Sequence, residues 1–192
     1  MILGGLDHEF VDFCQEAARR FPRSAEIQYM LALSFLRDER PEEDVAAQAA
    51  KAAEIGARDA DIQVRAGYLL MNTRNVEAAR LCAARAEESG EEDFVLSADL
   101  EGLKGRIAAR DGDFAGAEEK FRSVLRREPQ WSGNWAQLAR FLWARGRDEE
   151  ALTVLAESLS RFRDSGEGSR IRPKDIKELE RLQREILDEA PP

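Results

Sequence analysis

Residues 112–152, GDFAGAEEKFRSVLRREPQWSGNWAQLARFLWARGRDEEAL, repeat at an interval of 34 residues. Gly112 returns as Gly146, Ala117 as Ala151 and Phe121 as Leu155, and just upstream Gly105 and Arg106 return as Ala139 and Arg140. An interval of this size is one helix–turn–helix unit. A single such unit cannot bury its apolar face, whereas stacked units share a continuous core and build an extended surface.

Each recurring residue has a physical task. Ala139 and Ala151 are small where two helices of one unit must approach closely. Gly112 and Gly146 fall just past a first helix, where a left-handed backbone suits glycine. Asp113 follows as an expected cap for the next helix. Trp135 and Leu138, three apart, share a helical face and should be buried, and Pro129 forces the turn into the next unit. Trp135, Leu138, Ala139, Leu142, Gly146, Ala151 and Leu155, with Pro129 between units, resemble the consensus of the tetratricopeptide repeat family.

Two looser units precede these. In RAGYLLMNTRNVEAARLCAARA the small and apolar places fall to Gly67, Leu70, Ala79, Ala83 and Ala86, and Arg74 stands where glycine is usual. About four residues are inserted before the unit that begins near Glu92, since Ala79 and Ala117 are 38 apart. In the most degraded unit, Leu31, Ala32 and Phe35 suit a first helix, and Ala46, Ala50 and Ala53 a second. Pro41, Glu42 and Glu43 suit its first turn, through fixed φ and the helix dipole.

The expected organisation is an all-α, right-handed solenoid of stacked antiparallel helix pairs, about ten helices and no strand. Residues 1–22 form a half-repeat helix, four repeats occupy 23–57, 58–90, 91–128 and 129–162, a Gly/Ser/Pro-bearing linker spans 163–173, and a capping helix spans 174–192.

Composition narrows the function. A formal net charge of −9 argues against a nucleic-acid binder, which needs clustered cations. No apolar run approaches a bilayer span and the N-terminus lacks a secretory pattern, so a cytoplasmic protein with no membrane partner is expected. Cys14 and Cys82 have no metal or redox spacing and read as buried thiols. The one histidine, His8, has no nucleophile or acid at a catalytic spacing and reads as structural or solvated. The acidic pairs, such as Glu118–Glu119 and Glu149–Glu150, suit helix starts. SGEGSR at 165–170 lacks the ending of a phosphate loop. No catalytic residue, metal site or cofactor is expected, and the chain reads as a non-enzyme.

In the tetratricopeptide family the first helix of each repeat lines a concave face that holds a peptide or a partner helix. The resemblance therefore implies a groove bearing the residues that follow each small packing residue: Leu33, Tyr68, Arg106 and Arg140. Tyr29, Arg37, Asn72, Arg110 and Trp143 lie one turn away. One half is aromatic and aliphatic, the other rich in arginine, so a protein or peptide partner with an apolar and an acidic segment is expected. Reversing Arg106 and Arg140 should then weaken binding far more than reversing Arg122 and Arg126. Two plainer readings stand beside this one. With 24 arginines against 5 lysines, Arg106 and Arg140 can be ordinary solvated cations, and Tyr68 and Trp143 can belong to the core. The Lys/Asn clamp that some family members use for acidic chaperone tails is absent, because the corresponding helices carry Tyr29 and Leu33, then Arg65, then Asp99 and Leu103. The resulting expectation is an adaptor, scaffold or chaperone-like interaction module; a self-associating structural subunit and a regulatory repeat region of a larger enzyme are the alternatives.

Overall fold

Four sharp turns set the architecture. Each follows a helix with one residue in the left-handed region: Glu39 (φ 54°), Arg74 (58°), Gly112 (84°) and Gly146 (70°). The next residue's N–H reaches back five residues in every case, from Arg40 to Phe35, Asn75 to Leu70, Asp113 to Ala108 and Arg147 to Leu142, at 2.9–3.0 Å. This is the Schellman arrangement, which satisfies the last carbonyls of a helix while stopping it. Glycine adopts the required φ without strain at two of the turns; Glu39 and Arg74 adopt it at a cost.

The computed structural model describes residues 4–89, 94–163 and 173–189, and these form ten α-helices with no strand among the described residues. They are α1 (Gly4–Arg20), α2 (Ala25–Arg37), α3 (Glu42–Ile55), α4 (Ala60–Asn72), α5 (Val76–Glu88), α6 (Phe94–Asp111), α7 (Phe114–Arg127), α8 (Ser132–Trp143), α9 (Asp148–Arg163) and α10 (Pro173–Glu189). Nearly all of the expected linker, with its SGEGSR segment, lies outside the described residues. The expected insertion near Glu92 coincides with a first helix of 18 residues, α6, where α2, α4 and α8 have 12 or 13. Among the described residues no helix is long and apolar enough to cross a membrane.

The helices divide into two compact units, Met1–Asp113 and Phe114–Pro192. In the first, each of α1 to α6 packs on the next, and the first helices of successive pairs also touch, α2 on α4 and α4 on α6. In the second, α7 to α10 pack in sequence, and α10 also lies against α8. Sequence registers explain both cores. The fourth and eighth residues of every second helix are buried: Val45 and Ala49, Ala79 and Ala83, Ala117 and Phe121, Ala151 and Leu155. These positions fall on one helical face. In α3 the expected Ala53 is buried and Ala46 packs half-buried against the core, but Ala50 is exposed, and Val45, Ala49 and Ala52 complete the inward face. One extra residue between Glu39 and Pro41 delays this helix, and a run of alanines offers no large side chain to mark its inward face.

Small residues on the first helices are buried as expected, Ala32, Gly67, Gly105 and Ala139 alike. A Cβ at Gly67 would stand 2.5 Å from Leu103 Cδ2 and 3.4 Å from Cys82 Cβ, so α4, α5 and α6 meet at this glycine.

A second recurring device ties the first helices α2, α4 and α8 to the segment before them. The fourth residue of a first helix donates a side-chain N–H to a carbonyl at the end of the preceding unit. Gln28 reaches Pro22 O (3.4 Å), Gln63 reaches Ala53 O (2.6 Å) and Gly56 O (2.8 Å), and Trp135 reaches Pro129 O (2.8 Å). Burial makes these bonds matter, since orphaned carbonyls at a helix end are costly.

A candidate partner-binding ledge

Tyr29 on α2 lies three residues before Ala32, and Tyr68 on α4 directly follows Gly67, so the two rings hold different stations on successive first helices. Both are half-buried and pack by their ring bodies against the core cluster that includes Leu70 and Leu103. Each carries an arginine of the following first helix over its ring. The Arg65 guanidinium carbon lies 4.1 Å from the centre of Tyr29, and that of Arg106 lies 5.5 Å from the centre of Tyr68. Such cation–ring stacks arise because the aromatic face is electron-rich.

Hydrogen bonds fix both arginines. Arg65 grips Glu26 with two parallel bonds of 2.9 Å and also donates to Asp61 Oδ2 at 2.9 Å. Arg106 Nη2 donates to Asn72 Oδ1 at 3.2 Å, and the Tyr68 hydroxyl donates to the Asp99 carbonyl at 2.9 Å. Burial works against the charge on Arg65, and hydrogen bonds to Glu26, Asp61 and Tyr29 outweigh it, so its pKa is raised. Burial, reinforced by the Asp99 charge, holds Tyr68 protonated well above its ordinary range. Near neutral pH the ledge therefore presents fixed donors and ring edges, not a titrating pair.

The nine expected groove residues distribute unevenly. Tyr29, Leu33, Tyr68, Asn72 and Arg106 come together on α2, α4 and α6, and Leu33 packs on the same core cluster. Arg37 is exposed at the end of α2 with its guanidinium 5.9 Å from the Phe10 ring, and Arg110 is exposed at the end of α6. Arg140 and Trp143 belong to the second unit. There Arg140 Nη2 lies 3.1 Å from Glu178 Oε1 of α10, and Trp143 is half-buried. Arg65 was not among the expected residues. The repeat does not point to it, because Arg65 and Arg106 hold different stations on their helices, two residues before Gly67 and one after Gly105.

Residues expected to be bland are accounted for locally. His8 is exposed, with Nδ1 2.7 Å from Asp38 Oδ1. Cys14 and Cys82 are free and buried, and burial raises both thiols, Cys82 to about 11. Glu118 and Glu150 accept from Arg147, which holds Glu118 below the usual carboxylate range. Among the described residues no group of three or more His, Cys, Asp or Glu is placed to hold a metal ion.

Comparison with known proteins fits this geometry. The family model described as tetratricopeptide repeat matches residues 108–172. Those residues carry tetratricopeptide repeat sequence. A search of curated protein sequences returns no match. Among solved structures, PilW, a type IV pilus biogenesis factor, superposes with a TM-score of 0.63 at 15% identity, covering 97% of this chain and 91% of its own. MamA from Desulfovibrio magneticus RS-1 gives 0.58 at 13% identity, with 83% and 87% covered. YrrB, described as a TPR protein with an unusual peptide-binding site, gives 0.51 at 16% identity, with 92% and 93% covered. At these identities the likeness is one of fold, a stack of helix pairs that runs through the N-terminal helices as well.

Proposed function

We propose that this tetratricopeptide chain is a non-enzymatic protein-interaction module that holds a peptide or helical segment of a partner along the first helices of its repeats. The two tyrosine–arginine stacks on adjoining helices carry this reading. Tyrosine and arginine are the residue types that most often anchor interfaces, and here both are fixed before a partner arrives, which lowers the entropy cost of binding. The aliphatic edge at Leu33 suits an apolar segment, and Arg106 with Arg110 suits an acidic one. In the second unit a partner carboxylate would have to displace Glu178 from Arg140, so Arg140 contributes less than Arg106.

The test is affinity capture from native lysate with the wild-type chain, Arg106→Glu/Arg110→Glu, and Arg58→Glu as a distant charge control. Recovery of the partner should fall about tenfold or more in the double variant, as for loss of anchoring arginines, and stay unchanged in the control. Equal recovery from all three would remove function from this ledge.

A second reading, self-association, is favoured by α1. Phe10, Phe13 and Ala17 share one side of this helix, with Phe21 beyond it, while Val11 and Cys14 face the core on another. Phe13 and Phe21 remain 70% and 58% exposed. Light scattering that shows a mass rising with concentration in the wild type, but not in Phe13→Glu, would support it.

A further inference from the structure

The second unit contains a crevice that owes nothing to the ledge. Arg122 and Arg126 lie four apart on α7, Val154, Glu157 and Arg161 recur at helical spacing on α9, and Trp135 and Leu138 lie three apart on α8. These spacings put each set on one helical face. The three faces enclose a cavity of about 470 Å³. Its floor is apolar, made of Leu125, Pro129, Trp135, Leu138 and Val154, and its rim carries Arg122, Arg126, Arg161 and Glu157.

The chemistry of an occupant follows from these groups. The Trp135 N–H is already given to Pro129 O, so the indole offers the crevice only apolar surface. The volume falls within the range of ligand pockets and exceeds that of any one side chain. Arg122 is engaged by Glu118 at 2.8 Å and Arg161 has an interaction of its own, whereas the Arg126 side chain is exposed and makes no hydrogen bond or ion pair among the described residues. Guanidinium groups stand on both sides of the mouth, Arg122 and Arg126 on α7 and Arg161 on α9. In a chain of net charge −9 this cationic rim over an apolar floor is a local inversion.

We propose that the crevice binds a protein segment that inserts one large apolar side chain and sets carboxylates on either side of it, against Arg126 and Arg161. A fatty acid has the apolar body but a single charged head, and it would leave one side of the rim unused. A peptide chain runs across the opening and supplies both. This site uses α7 and α9, the second helices of their repeats, whereas the ledge uses first helices. Arg122 and Arg126, which the sequence marks as bystanders, become participants.

The probe is a fluorescein-labelled synthetic peptide with one phenylalanine flanked on each side by two glutamates, followed by fluorescence anisotropy with the full chain. A second peptide has serine for the phenylalanine. Saturable binding to the wild type is expected, with about tenfold or greater weakening by serine in the peptide or by Arg126→Glu in the protein. Arg126→Gln should fall between, while Arg58→Glu should bind as the wild type does. Arg126 is exposed and unpaired, so its variants should retain the wild-type circular dichroism. In a Trp131→Phe/Trp143→Phe protein, the peptide should also shift the emission of the remaining Trp135. Absence of saturable binding overturns the proposal, as does equal affinity for the serine peptide, which would mean charge attraction alone. Loss through Arg106→Glu but not Arg126→Glu overturns it in favour of the ledge. Binding of dodecanoate without binding of the peptide overturns the assigned ligand class. Because the two sites rest on different variants, failure of one is distinguishable from failure of the other.

Discussion

The two units solve one backbone problem with different chemistry. In the first, close packing is left to small residues, and aromatic rings sit near the surface under guanidinium groups: Tyr29 under Arg65, Tyr68 under Arg106, Phe35 under Arg40. In the second, Arg145 also lies 3.7 Å from the centre of the Phe114 ring, but there rings meet rings as well, Phe121 against Phe141 at 5.2 Å and Trp135 against Phe162 at 6.5 Å, both edge to face. The turns vary within the first unit as well as between the two. In the first unit the left-handed position falls to Glu39, Arg74 and Gly112, in the second to Gly146. The repeat plan therefore constrains size, burial and φ at each station, and leaves residue type open. It also explains why the family match falls on residues 108–172, where glycine turns and large core side chains keep the common pattern.

The largest effect should come from the aromatic core of the second unit. Phe162→Ala removes a buried ring from Trp135 and should lower the stability to urea by about 3–5 kcal/mol. A loss no greater than that of an exposed Leu81→Ala control would break the contrast between the units. Next is the glycine junction of the first unit, where Gly67→Ala sets a methyl against buried Leu103 and should cost about 1–3 kcal/mol. Pairing it with Leu103→Val should recover part of the loss, because the intruding contact is with the Leu103 Cδ2 methyl; no recovery would place the strain in the backbone.

A smaller, signed pair tests the turns. Arg74→Gly should stabilise by about 1 kcal/mol and Gly146→Ala should destabilise by about as much, both read by thermal unfolding. The same sign for both would show that side-chain contacts, not φ, govern these positions. The smallest effect at neutral pH belongs to Cys82, whose thiol burial raises from 9.0 to about 11. The folded state then favours the neutral thiol, so its contribution is complete below pH 9.0 and is lost as pH rises toward about 11. The melting temperature should decline across that window in the wild type by more than in Cys82→Ala; parallel curves would assign the decline to other groups.

Much of the fold was legible because period, burial and turn chemistry are local. Ala117, Ala151 and Gly146 can be placed from spacing alone, and Arg74 could be recognised as standing at a glycine station. In α3 the register missed at Ala50, because AAQAAKAA gives no contrast between faces. The ledge was legible in part. Tyr68, Asn72 and Arg106 could be grouped from the repeat, but the grip of Arg65 on Glu26, 39 residues earlier, depends on how adjacent first helices slide past one another. Arg126 was passed over for a similar reason, since α7 taken singly does not reveal that α9 closes a crevice beside it.

The side-chain bonds from Gln28, Gln63 and Trp135 bear on how such an array comes apart. Each makes the start of one repeat the terminator of the one before it, so neither can fray without exposing unmet carbonyls in the other. In a linear array, stability is a sum of intrinsic repeat terms and nearest-neighbour terms, and these bonds add to the second kind. The consequence is cooperativity: unravelling proceeds in steps longer than one repeat, and amide protons on either side of Gln63 should exchange with a common opening. Replacing Gln63 with leucine would then turn one joint event into two separate ones.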